Sequence, residues 1–175
     1  MTFSIVAVDR ESKEVGLAIA SCCWDAGQVC MAKAEVGAIA SQASGNMAFL
    51  SRFFDGLSQG SDPAAILTGF KKADGEIESR QIGMISYDGN ALAFTGTQCS
   101  LWAGHKTGKD YACQGNTLFG PQVVNAMAYH EIGDIERAVD AFGIYLGINP
   151  ALRPVLEAGV DRGTFPADLA ARLFA

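Results

Sequence analysis

The feature that most constrains this chain is how small residues are threaded through its strand-length apolar runs. Residues 3–8 and 15–21 are apolar stretches of strand length, separated by the polar segment Asp9-Arg10-Glu11-Ser12-Lys13-Glu14, which predicts a hairpin turn. Residues 29–33 and 36–42 repeat the arrangement across Ala34-Glu35. Gly16, Ala18, Ala20, Gly37, Ala38 and Ala40 crowd these segments. A strand lined by such short side chains lets another layer approach closely, which predicts a sheet stacked on a sheet.

Helices and further strands follow. Residues 47–57 carry Phe49, Leu50, Phe53, Phe54 and Leu57 at three- and four-residue spacing, the mark of one apolar helical face. Asp62-Pro63 reads as an N-cap with proline at the first helical position, opening a helix that presents Ile66, Leu67 and Phe70. Residues 81–87 and 91–95 flank Asp88-Gly89-Asn90, a glycine-bearing turn that predicts a second hairpin. Residues 99–104 and 111–114 are weaker strand candidates. From Pro121 onward the chain reads as helical, with Ile135, Val139, Phe142 and Leu146 on one face and a last helix over residues 166–174. No linker or repeat divides it, so residues 1–175 are expected to form a single α+β domain.

Composition excludes several function classes. The net charge is −6, and the 13 basic residues are scattered, which argues against a nucleic-acid partner. No apolar run approaches the ~18 residues of a membrane span, and the first ten residues carry Asp9 and Arg10 rather than a signal-peptide layout. An odd count of five cysteines without a repeated spacing suits reduced thiols and a cytoplasmic location. Cys22, Cys23 and Cys99 read as small buried apolar residues. There is no Cys-x-x-Cys pair, and His105 and His130 are far apart in sequence, so neither a metal nor any other cofactor is expected.

Thr2 is the residue with chemistry to offer. A small second residue is what methionine aminopeptidases accept, and a chain beginning at Thr2 would combine a hydroxyl nucleophile with an α-amine of unperturbed pKa about 7.7–8.0. Such an amine serves as general base without a histidine. The alternative is an ordinary first-strand residue.

Separated motifs bear on that choice. Thr2-Phe3-Ser4-Ile5-Val6-Ala7 with Asp9, then residues 15–21 and 36–43, then Arg80-Gln81-Ile82-Gly83, resemble the family called domain of unknown function 1028. The likeness is most specific at Phe94-Thr95-Gly96 with Cys99, at Trp102-Ala103-Gly104-His105 with Gly108, and at Gln114-Gly115-Asn116 with Gly120 and Ala126-Met127. The family is similar to the N-terminal-nucleophile hydrolases. That resemblance implies a four-layer sandwich, two mainly antiparallel sheets between helices, here with a shortened and helical C-terminal part. It implies an amide hydrolase with Thr2 as nucleophile, acting on a small-molecule or peptide-like amide.

Under the same resemblance Asn116 is an oxyanion donor, or else a turn residue bonding its own backbone. His105 orients substrate or carries a proton, or else is a hydrogen-bonded structural histidine. Ser21, Asp9 and Gln114 are candidate binding residues, Asp9 having a turn role as its alternative, and Lys33 is a solvated charge if it does not orient the nucleophile. Thr2, His105 and Asn116 are expected to converge on one cleft. A non-catalytic or small-molecule-binding protein on the same fold is the competing reading, and a nucleophile at Cys22 or Ser21 is a third. The apolar faces after Pro121, with Leu169 and Leu173, predict a homodimer or higher homo-oligomer.

Overall fold

β1 (Thr2–Asp9) and β2 (Glu14–Ser21) form an antiparallel hairpin, and β3 (Cys30–Lys33) and β4 (Gly37–Ala43) form a second. α1 (Ala48–Ser58), α2 (Pro63–Ala73), β5 (Arg80–Ser86), β6 (Ala91–Thr95), β7 (Trp102–Gly108), β8 (Tyr111–Leu118), α3 (Gln122–Glu131) and α4 (Ile135–Ile148) follow. The computed structural model describes residues 1–148 together with Arg153, Pro154, Ala167, Ala171 and Arg172. Most of the helix expected over residues 166–174 lies outside these, as do the side chains of Ile135, Phe142, Leu146, Leu169 and Leu173 from the expected dimer face. No helix among the described residues is long and apolar enough to cross a membrane.

The strands make two four-stranded antiparallel sheets, in the orders β2-β1-β8-β7 and β3-β4-β5-β6. Side-chain alternation sorts each strand between two surfaces. Val6 and Val8 of β1, Ala38 and Ala40 of β4, Ile85 of β5 and Ala112 of β8 meet between the sheets in one buried cluster. On the outer face of β4 and β5, Ile39, Ile82 and Met84 pack against Phe49, Leu50, Phe53 and Phe54 of α1 and Ile66, Leu67 and Phe70 of α2. Phe49 and Phe70 stack with ring centroids 4.1 Å apart. On the outer face of the other sheet Phe3, Ile5, Tyr111 and Cys113 pack against Val123, Val124 and Ala128 of α3. Each large side chain so buried contributes about 1.5–3 kcal/mol.

The small residues divide by strand. Ala38 and Ala40 stand in the inter-sheet layer, as their size predicts, but Gly16, Ala18 and Ala20 of β2 point outward and are exposed. In an edge strand it is the other parity, Val15 and Leu17, that meets the facing sheet. Local chemistry fixes the turns and caps. The Ala65 N–H donates to the Asp62 carboxylate at 2.7 Å, capping α2. Gly89, at φ +84°, occupies the β5–β6 turn, where a left-handed residue is required. The weaker strand candidates shifted: β7 starts at Trp102 rather than Cys99, and β8 runs on to Leu118. Cys99 is held in a turn by its own N–H on the Gly96 carbonyl, which keeps residues 99–101 out of the ladder.

Candidate active site

Thr2 begins β1, and its cross-strand partners are Ser21 on β2 and Asn116 on β8. The Thr2 and Ser21 hydroxyls are 2.9 Å apart. The Ser21 hydroxyl also reaches the Met1 carbonyl at 3.2 Å, and the Cys22 N–H reaches that carbonyl at 3.4 Å. The Met1 ammonium lies 3.6 Å from Cys22 Sγ and holds that thiol below the ordinary thiol range. Thr2 and Asn116 open onto a cavity of about 240 Å³, shared with Met1, Cys23, Ala43, Ser44, Ser79, Gln98, Cys99, Ser100 and Thr117.

The walls are assembled by unusual backbone. Between Trp102 and Gly104 the β7–β8 register slips, so that Asn116 and Thr117 together oppose Ala103 alone. A bulge of this kind re-aims a side chain at the end of a ladder. Thr117 has φ +56°, Ala43 +64° and Leu101, beside Ser100, +53°. The left-handed region is costly for a β-branched or bulky residue, and such strain gathers where side chains must be held out of their natural course. Two of the strained positions, Ala43 and Thr117, thus line one cavity and a third, Leu101, follows the lining residue Ser100, the others being turn residues and the residue before a short 3₁₀ turn at Ala26–Val29.

The 95–100 segment is pinned from below. Thr97 donates to the Glu78 carboxylate from both its N–H and its hydroxyl at 2.8 Å, and these bonds hold that carboxyl below the usual range. The Gly96 N–H donates to the Arg80 carbonyl and the Gln98 N–H to the Glu78 carbonyl. A Cβ on Gly96 would collide with the Glu78 backbone, so glycine is required there. Arg80 in turn spans Asp74 at 3.1 Å, Glu76 at 2.8 Å and the Ser44 carbonyl at 2.5 Å, tying the two loops of the cavity wall together.

Beneath the cavity runs a chain of buried amides between the sheets. Gln114 Nε2 donates to Ser4 Oγ at 2.6 Å, Ser4 Oγ to Gln42 Oε1 at 2.7 Å, and Gln42 Nε2 to Gln81 Oε1 at 2.7 Å. Asn116 Nδ2 donates to the same Gln81 oxygen at 3.1 Å, while Asn116 Oδ1 accepts from the Thr117 hydroxyl. Gln81 Nε2 donates to the Thr95 hydroxyl and to the Gly104 and Gly115 carbonyls. Both of these Asn116 bonds are to side chains, Gln81 and Thr117, rather than to the backbone of its own turn.

His105 belongs to this network and not to the cavity wall. The Thr95 hydroxyl, accepting from Gln81, is hydrogen-bonded to His105 Nδ1 at 2.8 Å. Burial pushes the imidazole below its ordinary pKa. His105 sits on β7, two strands or about 10 Å from β1. The structure thus brings Thr2 and Asn116 to one cavity and connects His105 to it through Thr95 and Gln81. Of the remaining candidates, Ser21 touches Thr2, and Gln114 is buried two positions deeper along β8. Asp9 is at the far end of β1, about 23 Å along the strand, and accepts there from the Glu11 and Ser12 N–H groups of the hairpin turn. A turn role explains it fully. Lys33 is exposed, its ammonium 4.3 Å over the Phe54 ring.

Cys22 and Cys23 are exposed in the loop after β2, contrary to the expectation that they are buried. Among the described residues no group of three or more His, Cys, Asp or Glu could hold a metal ion. Ser44, Ser79, Gln98, Ser100 and Thr117 were not anticipated at the site. Their one sequence signal is the glycine-bearing stretch around Gly96, and polar Gln42 and Gln81 inside apolar strands announce the network below them.

The family described as a family of unknown function, DUF1028, matches residues 2–140. The chain belongs to DUF1028. Within that family it is similar to protein SPO2555 from Silicibacter pomeroyi, whose crystal structure superposes with a TM-score of 0.71 at 28% identity. The superposition covers 81% of this chain and 68% of that one, which is likewise described as DUF1028. None of the curated proteins compared matches the chain. The DUF1028 match extends past the last resembling motif, at Met127, into α4.

Proposed function

We propose that this DUF1028 protein is an N-terminal-nucleophile amide hydrolase in which Thr2 becomes the first residue on removal of Met1. The observation that carries the reading is the Thr2 hydroxyl on a strained, polar cavity, 2.9 Å from a second hydroxyl that also touches the Met1 carbonyl. Cleavage of the Met1–Thr2 bond leaves the α-amine next to Ser21. The Thr2 oxygen attacks the carbonyl carbon of the amide, and its proton passes to the α-amine, directly or through Ser21. One N–H of Asn116 is committed to Gln81 Oε1, and the other is the donor for the developing oxyanion. The amine takes the proton and leaves, and water then hydrolyses the Thr2 ester. The layering of helices outside two stacked antiparallel sheets supports the likeness to N-terminal-nucleophile hydrolases. The reaction would run in the cytoplasm on a homodimer, and light scattering tests the latter against a mass of 18.4 kDa.

A second reading, a small-molecule-binding protein on this fold, is favoured by the cavity itself. With Met1 in place the Thr2 nitrogen is an amide, and the cavity is already formed. Intact mass of the protein from its own host separates the two. Loss of Met1, with turnover of neutral aryl amides that Thr2→Ala abolishes, supports hydrolysis; full retention of Met1 removes the general base.

A further inference from the structure

An amide side chain has a polarity, an oxygen that accepts and a nitrogen that donates, and in the buried network one pair of contacts sets it for all the others. Gln81 is fully buried, and its Nε2 faces the Gly104 carbonyl at 3.1 Å and the Gly115 carbonyl at 2.9 Å. A carbonyl oxygen only accepts. Were Gln81 turned over, its own oxygen would stand against two others with no proton between them. Gln81 Oε1 therefore faces the opposite way, and whatever meets it must donate.

The other orientations follow in turn. Asn116 must direct Nδ2 to that oxygen, at 3.1 Å, and Gln42 must direct Nε2 to it, at 2.7 Å. Gln42 Oε1 then needs a donor and takes the Ser4 hydroxyl at 2.7 Å, so Ser4 Oγ can only accept from Gln114 Nε2, at 2.6 Å. This branch ends at Gln114 Oε1, a buried acceptor that finds no partner. On the other branch Asn116 Oδ1 accepts from the Thr117 hydroxyl, and the residue, 4% exposed, lines the Thr2 cavity. What its nitrogen has left to offer there is one N–H.

We propose that Gln81 is the positioning residue of the Thr2 site: anchored on the Gly104 and Gly115 carbonyls, it holds Asn116 as a donor toward the cavity and forbids the reversed amide. The catalytic consequence rests on the hydrolase reading; the geometry stands without it. Substitutions of nearly unchanged shape test the two separately. Asn116→Asp sets a carboxylate oxygen against Gln81 Oε1, and Gln81 cannot turn to relieve it. The urea midpoint should fall by about 1 M relative to the unaltered protein at pH 7.5. At pH 4, where the carboxyl keeps a proton to donate, the loss should be much smaller. A loss equal at the two pH values, or none at all, overturns the proposal. In protein freed of Met1, Gln81→Glu keeps an oxygen for Asn116, whereas Gln81→Met removes it. With a neutral aryl amide, kcat should stay within about threefold in Gln81→Glu and fall by about tenfold or more in Gln81→Met, KM changing little. Both variants lose stability, so a kcat that follows the urea midpoint instead of the acceptor also overturns the proposal. If Asn116→Asp behaves as stated but the unaltered Met1-free protein cleaves no amide, the positioning of Asn116 stands and the hydrolase reading falls.

Discussion

Thr2 and Asn116 are direct cross-strand partners on β1 and β8, and their side chains line the same cavity. The nucleophile and the oxyanion donor of the proposed reaction are therefore fixed relative to one another by a ladder and not by a loop. In protein freed of Met1, Thr2→Ala should abolish turnover of a neutral aryl amide and Thr2→Ser should retain it. Asn116→Ala should lower kcat by about 10²–10³-fold, the usual loss for one oxyanion donor. Activity unchanged in Thr2→Ala would remove Thr2 from the mechanism.

In the proposed reaction Ser21, whose hydroxyl is 2.9 Å from that of Thr2, is a positioning residue between it and the new α-amine. Its replacement in Ser21→Ala should lower kcat about 10²-fold with little change in KM. A structural role would not move the pH profile, but loss of a hydroxyl beside the amine should. Under the proposed reaction, activity should rise with pH as the amine deprotonates, near 7.7–8.0 for an unperturbed amine, and this limb should shift in Ser21→Ala and return in Ser21→Thr. An unshifted limb assigns Ser21 to folding alone.

Gly83 and Gln114 test the interlock between the sheets. A Cβ on Gly83 would land within the Gln114 side-chain amide. Gly83→Ala should destabilise the protein by about 1–3 kcal/mol, as overpacking does, and adding Gln114→Ala should recover part of that loss. Urea unfolding of the two single variants and the double one gives the coupling energy. Additive losses would show that the two residues do not meet.

Acid should weaken the protein at the Asp74–Arg80 pair. The Arg80 guanidinium, then Asn46 and the Glu76 N–H, hold the Asp74 carboxyl below its ordinary value. A depressed carboxylate stabilises the fold above its unfolded pKa of about 3.9, and that stability is lost as pH falls from there through the folded value. Asp74→Asn should be less stable at pH 7 by about 1.5–3 kcal/mol and should show a flatter fall below pH 4. Parallel pH profiles for the two proteins would contradict this assignment.

The thiols should react in a fixed order. In protein that retains Met1, Cys22, exposed and lowered by the terminal ammonium, should be alkylated fastest at pH 8. Cys113 is buried behind α3, and desolvation pushes it up to about 12. It should remain unlabelled in native protein and react on unfolding. Mass spectrometry of iodoacetamide-treated protein over time checks both, and early modification of Cys113 would show that the β8–α3 interface opens.

Much of this architecture is legible in the sequence because it follows from patterns with a period. The face of α1 is written in Phe49, Leu50, Phe53 and Phe54, and the start of α2 in Asp62-Pro63. Ala91–Thr95 is apolar, bounded by a turn and a glycine, and forms β6 as read. What the sequence hides is anything that depends on parity or on a bulge. The outward turn of Gly16, Ala18 and Ala20 depends on which neighbour β2 lacks, and that is decided by β8 pairing on the other side of β1. The left-handed conformations of Thr117 and Leu101 have no glycine to advertise them. His105 and Asn116 share motifs equally specific, yet a slip between Trp102 and Gly104 aims Asn116 at the cavity while His105 bonds Thr95.

The amide chain through Ser4, Gln42, Gln81, Gln114 and Asn116 has a bearing on how the chain finds its fold. Apolar layers tolerate sliding, since one valine replaces another at small loss. Amides do not: a one-residue slip of either sheet turns these side chains to the opposite face and strands each donor, at about 1–3 kcal/mol apiece. The network therefore works as a proofreading step for alignment. It closes when β1 and β8, which emerge far apart in synthesis, have both taken their single correct register. The Thr2 cavity, whose wall includes Asn116 from that network, exists only in chains that have passed this check.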